Sequence, residues 1–131
     1  MTLHNFPLRI YYEDTDAGGI VYHANYLNFC ERARTEMIHD HGYSNNDLIR
    51  DLNVLTVVRH IDVNYLAPAV LEDMLNVQSS VKNFGHTSFL MEQNIMRGDL
   101  TLATLMVKLV CIDAGTKRPV KIPETLRGIL S

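Results

Sequence analysis

Ala24-Asn25-Tyr26-Leu27-Asn28-Phe29-Cys30-Glu31-Arg32-Ala33-Arg34-Thr35-Glu36-Met37-Ile38-His39-Asp40-His41 is the stretch on which the fold turns. Its apolar residues Tyr26, Phe29, Cys30, Ala33, Met37 and Ile38 recur at three- and four-residue spacing, the period of a helix with one buried stripe. Arg32, Arg34, Glu36 and Asp40 take the other faces. Asn25 or Asp16 is placed to cap the start, and Gly42 fits the stop. Ser44, a good N-cap, precedes Leu48-Ile49-Leu52 and predicts a short second helix.

Downstream of Asn53 the period changes to two. Ile61, Val63 and Tyr65 alternate with Asp62 and Asn64, and Leu75, Val77 and Val81 with Asn76, Gln78, Ser80 and Lys82. Phe89, Met91 and Ile95 alternate with Leu90, Glu92 and Asn94, while Ala103, Leu105, Val107, Leu109 and Cys111 form a last apolar face with Lys108 opposite. These are four long strands, each with one face to bury. Ala67-Pro68-Ala69, Phe84-Gly85-His86 and Arg97-Gly98-Asp99-Leu100 read as the turns between them. Turns this short predict antiparallel pairing of successive strands. Upstream, Phe6 to Tyr12 predicts a short strand with Pro7 at a sheet edge, and Glu124 to Leu130 predicts a C-terminal helical turn. The order gives an α+β chain, residues 1–131 forming one domain, in which a five-stranded antiparallel sheet curls around one long helix. One helix cannot cover both sides of such a sheet. The leftover edges predict a dimer joined sheet edge to sheet edge.

The bulk properties narrow the function classes. The chain has 131 residues and a net charge of −3, which gives no basic face for nucleic acid. Cys30 and Cys111 are too few for a disulfide framework and read as buried thiols of a reducing compartment. Arg9 and the charges from Glu13 onward break up any signal peptide, and no apolar run approaches the roughly 20 residues of a membrane span. The expectation is a soluble, cytoplasmic protein.

Chemistry concentrates just before the long helix, in Tyr12-Glu13-Asp14-Thr15-Asp16-Ala17-Gly18-Gly19-Ile20-Val21-Tyr22-His23. A strand runs into this junction and a helix runs out. Such a junction can aim a carboxylate at a bound carbonyl while free N–H groups of the helix start polarise its oxygen. Read without context, Asp16 serves equally as an Asx-turn or a cap. Gly18 and Gly19 permit a tight turn and close approach of a ligand.

This motif, followed by Asn25-Tyr26-Leu27 and Glu31-Arg32-Ala33-Arg34, closely resembles hotdog-fold acyl-CoA thioesterases. It is most similar to the bacterial branch encoded beside the Tol-Pal envelope genes and related to 4-hydroxybenzoyl-CoA thioesterase. The likeness continues through Val58-Arg59, Asn64-Tyr65-Leu66-Ala67-Pro68-Ala69 and Gly85-His86-Thr87-Ser88. It implies the helix-in-curled-sheet fold, dimers that pair into tetramers with active sites at the subunit interface, and no metal or organic cofactor. The substrate class it implies is an acyl-CoA, with an acyl-carrier protein as the other thioester donor. Asp16 aligns with the catalytic aspartate of the family, either a nucleophile forming a mixed anhydride or a general base on water. His23 and Tyr12 match positions beside that aspartate. His23 would orient Asp16 or water, or protonate the leaving thiolate; Tyr12 would pack and hydrogen-bond Asp16. Asp14 is read as support for the turn.

Other residues carry weaker signals. By resemblance, Gly85, His86, Thr87 and Ser88 contact the nucleotide or pantetheine. Arg59, Lys82, His86, Arg97, Lys117 and Arg118 are basic, lie on strands or turns, and are candidates for the CoA phosphates. Glu31 stands where another hotdog branch carries its acid, and here reads as a buried partner of Arg34 or Arg59. His39 and His41 point about 200° apart on a helix and would not share a metal. Cys30 belongs to the apolar stripe, His60 to the strand surface, and Ser88 has no nucleophile-elbow context. Two other readings use the same residues: an enoyl-thioester hydratase or dehydratase on the same fold, and a non-catalytic module that docks acyl-carrier protein.

Overall fold

A computed structural model describes residues 2–131. The long helix α1 spans Asn25–His39 and buries the six stripe residues Tyr26, Phe29, Cys30, Ala33, Met37 and Ile38. It ends where Gly42 adopts φ +75°, a conformation that favours glycine. Helix α2, Asn45–Leu52, starts at Ser44, whose hydroxyl accepts the Asp47 N–H. Strands β1 (His4–Arg9), β2 (Val54–Tyr65), β3 (Met74–Phe84), β4 (Ser88–Arg97) and β5 (Leu100–Asp113) form one antiparallel sheet, and α3 spans Glu124–Leu130. The sheet wraps α1 in the hotdog arrangement. Bulges at Val58/His60, Val81/Asn83 and Ile95/Met96 supply local bends and extra twist for that curl.

Strand order corrects one expectation. It is β1-β3-β4-β5-β2, so β2 pairs with β5 and not with its successor β3. The segment containing Ala67-Pro68-Ala69 is therefore a crossover from one sheet edge toward the other, not a hairpin turn. It runs over the start of α1, where Val21 donates its N–H to Ala69 and Ala69 donates its own to the Tyr26 hydroxyl. Period two shows which residues share a face but carries no information on which strand lies alongside. A second difference is at the N-terminus. The first strand stops at Arg9, and Tyr12–Asp14 winds into a 3-10 turn because the Asp14 carboxylate accepts the Tyr11 N–H. Pro7 sits on an edge strand, as expected.

The core contains one polar network that the strand pattern skips over. Gln93, fully buried between Met91 and Ile95, donates to the Cys30 carbonyl and the Ser79 hydroxyl and accepts from Arg34 at 2.9 Å. Burial lowers the Arg34 pKa from its ordinary value, with the nearby Cys30 and Glu31 opposing. Burial likewise pushes the Cys30 thiol up to about 12 and the Cys111 thiol up to about 11, so both stay protonated in neutral solution.

Replacing Gln93 with Leu strands both the Arg34 guanidinium and the Ser79 hydroxyl. The expected cost is about 1–3 kcal/mol in urea unfolding. The double variant Gln93→Leu with Arg34→Met is expected to recover part of that loss, the signature of coupling between the two side chains.

Candidate active site

The junction is built by backbone hydrogen bonds before any side chain faces outward. The Asp14 carbonyl accepts the Tyr22 N–H at 3.0 Å and the Asn25 amide at 2.9 Å, and its carboxylate is spent on Tyr11. Both ends of the loop are thereby pinned to one buried residue. Thr15 and Val21 bridge across it, and Asp16 through Ile20 closes as a tight turn, with the Asp16 N–H donating to Ile20 and the Gly19 N–H to Asp16. Gly19 holds φ +81°, where a side chain would be strained. Gly18 donates its N–H to Asp16 Oδ1 at 2.8 Å, and a Cβ on Gly18 would stand 3.1 Å from that same oxygen. The glycine pair thus shapes the turn that presents the exposed Asp16 carboxylate. One of its oxygens is held by the backbone, and the other has no hydrogen bond among the described residues.

Helix α1 begins without a side-chain cap. Ala24 occupies the N-cap position in a helical conformation, which corrects the expectation that Asn25 or Asp16 would cap it. Asn25 is occupied with Asp14, and Asp16 with Gly18. The start is wound tightly, with Asn25 N–H to the Tyr22 carbonyl and Leu27 N–H to the Ala24 carbonyl. The Tyr22 N–H is taken by the Asp14 carbonyl. The N–H groups of His23 and Ala24 have no acceptor among the described residues. They lie at the positive end of the helix dipole and can receive a developing negative charge.

Beside them is a groove of about 350 Å³ lined by Ile20, Val21, His23, Tyr26, Tyr65, Leu66, Ala67 and Pro68. Seven of its eight lining residues are apolar or aromatic. The His23 ring packs against Tyr22, centroids 4.5 Å apart, and meets Tyr65 edge-on at 6.4 Å. The Tyr65 hydroxyl donates to the His23 carbonyl at 2.8 Å. In the sequence Tyr65 stands on an apolar strand face and within the Asn64–Ala69 stretch of the resemblance, with no role of its own. Its hydroxyl was the available signal, since a phenol on a buried-face position needs a partner.

Several expected partners are not made. Tyr12 is 83% exposed and neither packs nor reaches Asp16, because the 3-10 turn directs it away from the strand path. His23 makes no hydrogen bond to Asp16. Glu31 is exposed and forms no ion pair with Arg34 or Arg59; Arg34 has turned to Gln93 instead. Arg97 is committed to Asp73 at 2.8 Å and to the Pro68 carbonyl, Lys82 stands 3.8 Å from Glu92, and the Lys117 ammonium bonds the Ala114 carbonyl. The Asp73 pKa is lowered despite its burial, by the Val70 N–H and by Arg97. Arg59, His86 and Arg118 pair with no acid among the described residues. His60 lies on the surface beside Asp62, and His41 bonds the Met37 carbonyl.

The remaining residues fall at the other end of the sheet. Tyr65 pairs with Ala103 and Ser88 with Val110, seven residues along β5, a separation of about 23 Å. Gly85, His86, Thr87 and Ser88 are anchored there by Arg127 on the Gly85 carbonyl, Ile122 on His86 and Cys111 on Thr87. Arg59 sits in the β2 bulge toward the same end. A second cavity, about 310 Å³, flanks α1 between Arg34, Thr35, Val57, Val58 and Phe89 and contains neither Asp16 nor His23. One chain therefore holds Asp16, Gly18 and Gly19 in one turn, with His23 at the start of the helix that follows, and places Gly85–Ser88 at the other end of the sheet.

Comparison with known proteins supports the architecture. Residues 11–130 match the family model of the Thioesterase-like superfamily. An acyl-CoA thioesterase, YbgC of Haemophilus influenzae, is 41% identical over 124 residues, covering 95% of this chain and 91% of the relative. An acyl-CoA thioester hydrolase, YbgC of Escherichia coli, is 44% identical over 126 residues, covering 95% and 93%. The crystal structure of a probable thioesterase from Bartonella henselae superposes with a TM-score of 0.88 at 34% identity, covering 93% of this chain and all of that one. With the Asp16 turn, the open helix start and the curled sheet in place, the chain belongs to the thioesterase-like superfamily of hotdog proteins.

Proposed function

We propose that the protein is an acyl-CoA thioesterase, converting acyl-S-CoA and water to a carboxylic acid and free CoA. The observation that carries this reading is the pairing of a backbone-held, exposed Asp16 carboxylate with unclaimed N–H groups at the start of α1, beside an apolar groove. Thioester hydrolysis asks for these parts: a nucleophile or base, donors for the developing oxyanion, and a place for the acyl chain. Asp16 attacks the carbonyl carbon or activates water; His23 and Ala24 supply the oxyanion donors. The His23 ring, facing the groove, is placed to pass a proton to the leaving thiolate. Arg59 and Gly85–Ser88 enter the site only if a second copy brings them to it, and they are assigned the CoA side on that basis; Tyr12, exposed near Asp16 in sequence, is assigned to the support of that carboxylate once substrate or a second copy covers it. The same applies to an acyl-carrier protein as the alternative thioester donor.

The expected dimer follows from exposed edges. β2 has a partner on one side only, and Val57 and Val58 are exposed on it. Joining two β2 edges would extend the sheet and bring a second copy alongside the first.

Three measurements test these assignments. Asp16→Asn, folded normally by circular dichroism, is expected to lose at least about 100-fold in thiol release from short, medium, long and aromatic acyl-CoAs. Retained hydrolysis would remove the proposed role of Asp16. Hydration of a crotonyl thioester without thiol release would favour the hydratase instead. Gly18→Ala crowds the Asp16 oxygen and is expected to lower kcat about tenfold with little change in melting temperature, since Gly18 needs no left-handed backbone. Val58→Lys is expected to elute as a monomer with reduced activity, checked by light scattering on a size-exclusion column.

A further inference from the structure

The Tyr65 hydroxyl has a partner that is hard to explain as packing. It does not reach another side chain or a strand carbonyl. It crosses from the end of β2 to the His23 carbonyl, 42 residues away in sequence, at 2.8 Å. That carbonyl belongs to the peptide unit whose N–H is Ala24's, one of the donors left unclaimed at the start of α1. In a regular helix the His23 carbonyl would accept the Leu27 N–H; here Leu27 donates to Ala24 instead. The carbonyl released by the tight first turn is the one Tyr65 takes.

The ring is held so that the hydroxyl has little freedom. Tyr65 meets the Tyr26 ring at 5.4 Å and the His23 ring at 6.4 Å. The next residue, Leu66, donates its N–H to Leu102, tying the strand end to β5. Tyr26 is itself fixed by the Ala69 N–H on its hydroxyl. The position of the helix-start peptide is thereby referred to the sheet, and not left to an uncapped helix end.

We infer that Tyr65 is a positioning residue for the oxyanion donors: its hydroxyl fixes the plane of the His23–Ala24 peptide and, by donating to the carbonyl, strengthens the N–H at the other side of the same unit. A hydrogen bond at one end of a peptide polarises the other, by about 10–30% per bond. A fixed donor also needs no reorganisation as charge develops on the thioester oxygen. This inference rests on the thioesterase reading and on the α1 start being its oxyanion site.

The test measures carbonyl polarisation directly. Asp16→Asn protein is mixed with an acyl-CoA carrying 13C at the thioester carbonyl, and the carbonyl band is read by isotope-edited infrared difference spectroscopy. A band displaced to lower frequency from that of the free thioester is expected. In Asp16→Asn with Tyr65→Phe the displacement is expected to shrink. In the otherwise native protein, Tyr65→Phe is expected to lower kcat roughly tenfold with KM within about twofold. Phe keeps the ring contacts, so a role in packing alone would leave the band in place. An undiminished displacement in the double variant overturns the inference while the thioesterase reading stands. No displacement in Asp16→Asn itself removes the oxyanion site, and this inference with it. If Tyr65→Phe does not fold, 3-fluorotyrosine at position 65, a stronger donor, replaces it at mildly acidic pH. The band is then expected to move further to lower frequency, and an unmoved band overturns the inference.

Discussion

The loop between β1 and α1 is held at both ends by one residue. Asp14 takes the Tyr11 N–H with its carboxylate and the Tyr22 N–H and Asn25 amide with its carbonyl. Three donors from three parts of the junction converge on a residue that is only 8% exposed. Of the three, the bond to the carboxylate is stronger than the two to the neutral carbonyl. Together they fix where the turn leaves the sheet and where the helix begins. The Asp16 turn, the uncapped helix start and the groove behind them inherit their positions from that anchor. The core beneath supplies its rigidity, with Phe29, Cys30, Ala33 and Met37 fully buried in the curl of the sheet.

That arrangement explains why the helix start is left open. A Ser, Thr or Asp at the N-cap would accept the N–H of Tyr26 or Leu27, and its polar side chain would stand beside the free His23 and Ala24 N–H groups. The chain places Ala24 there, which has no hydrogen-bonding side chain. Stability lost at the cap is offset by contacts from outside the helix: Asn25 to Asp14, Tyr22 to Asp14, and Tyr65 to His23. Each of these binds an atom other than the two free N–H groups. The local preference for a capped helix start is broken beside the proposed site.

The parts legible in the sequence are those written in periodicity. All six stripe residues of α1 are buried, Ser44 caps α2, and Glu124–Leu130 is helical. The parts that were not legible depend on which segments meet. Alternation identified the strand faces but not that β2 lies beside β5, because pairing across the sheet is fixed by the curl around α1. Gln93 breaks the apolar run of β4 at an inward position, and that break was itself a signal of a buried polar network. With Asp16 in the acid's role, Glu31 reads in sequence as a buried partner of Arg34 or Arg59, but it is exposed. Gln93, from a distant strand, offers Arg34 a better-oriented acceptor in the core. Tyr12 stands beside Asp16 by resemblance, and a motif match does not show that the 3-10 turn leaves its side chain exposed.

Two aspartates two residues apart pose a question that geometry answers. If both carboxylates faced one ligand, each would oppose ionisation of the other. The turn separates them by burial and by partner. Asp14 points inward to the Tyr11 N–H, and Asp16 points out, with Oδ1 on the Gly18 N–H. An inward carboxylate bonded to a backbone donor is structural whatever the reaction. The outward one keeps an oxygen free and sits on a loop that Asp14 prevents from moving. The division of labour also accounts for the glycines. Asp16 Oδ1 can stay where it is because position 18 has no Cβ to displace it, and position 19 can reverse the chain because glycine tolerates φ +81°. Gly18 and Gly19 thus support the Asp16 carboxylate, in addition to any room they leave for a substrate.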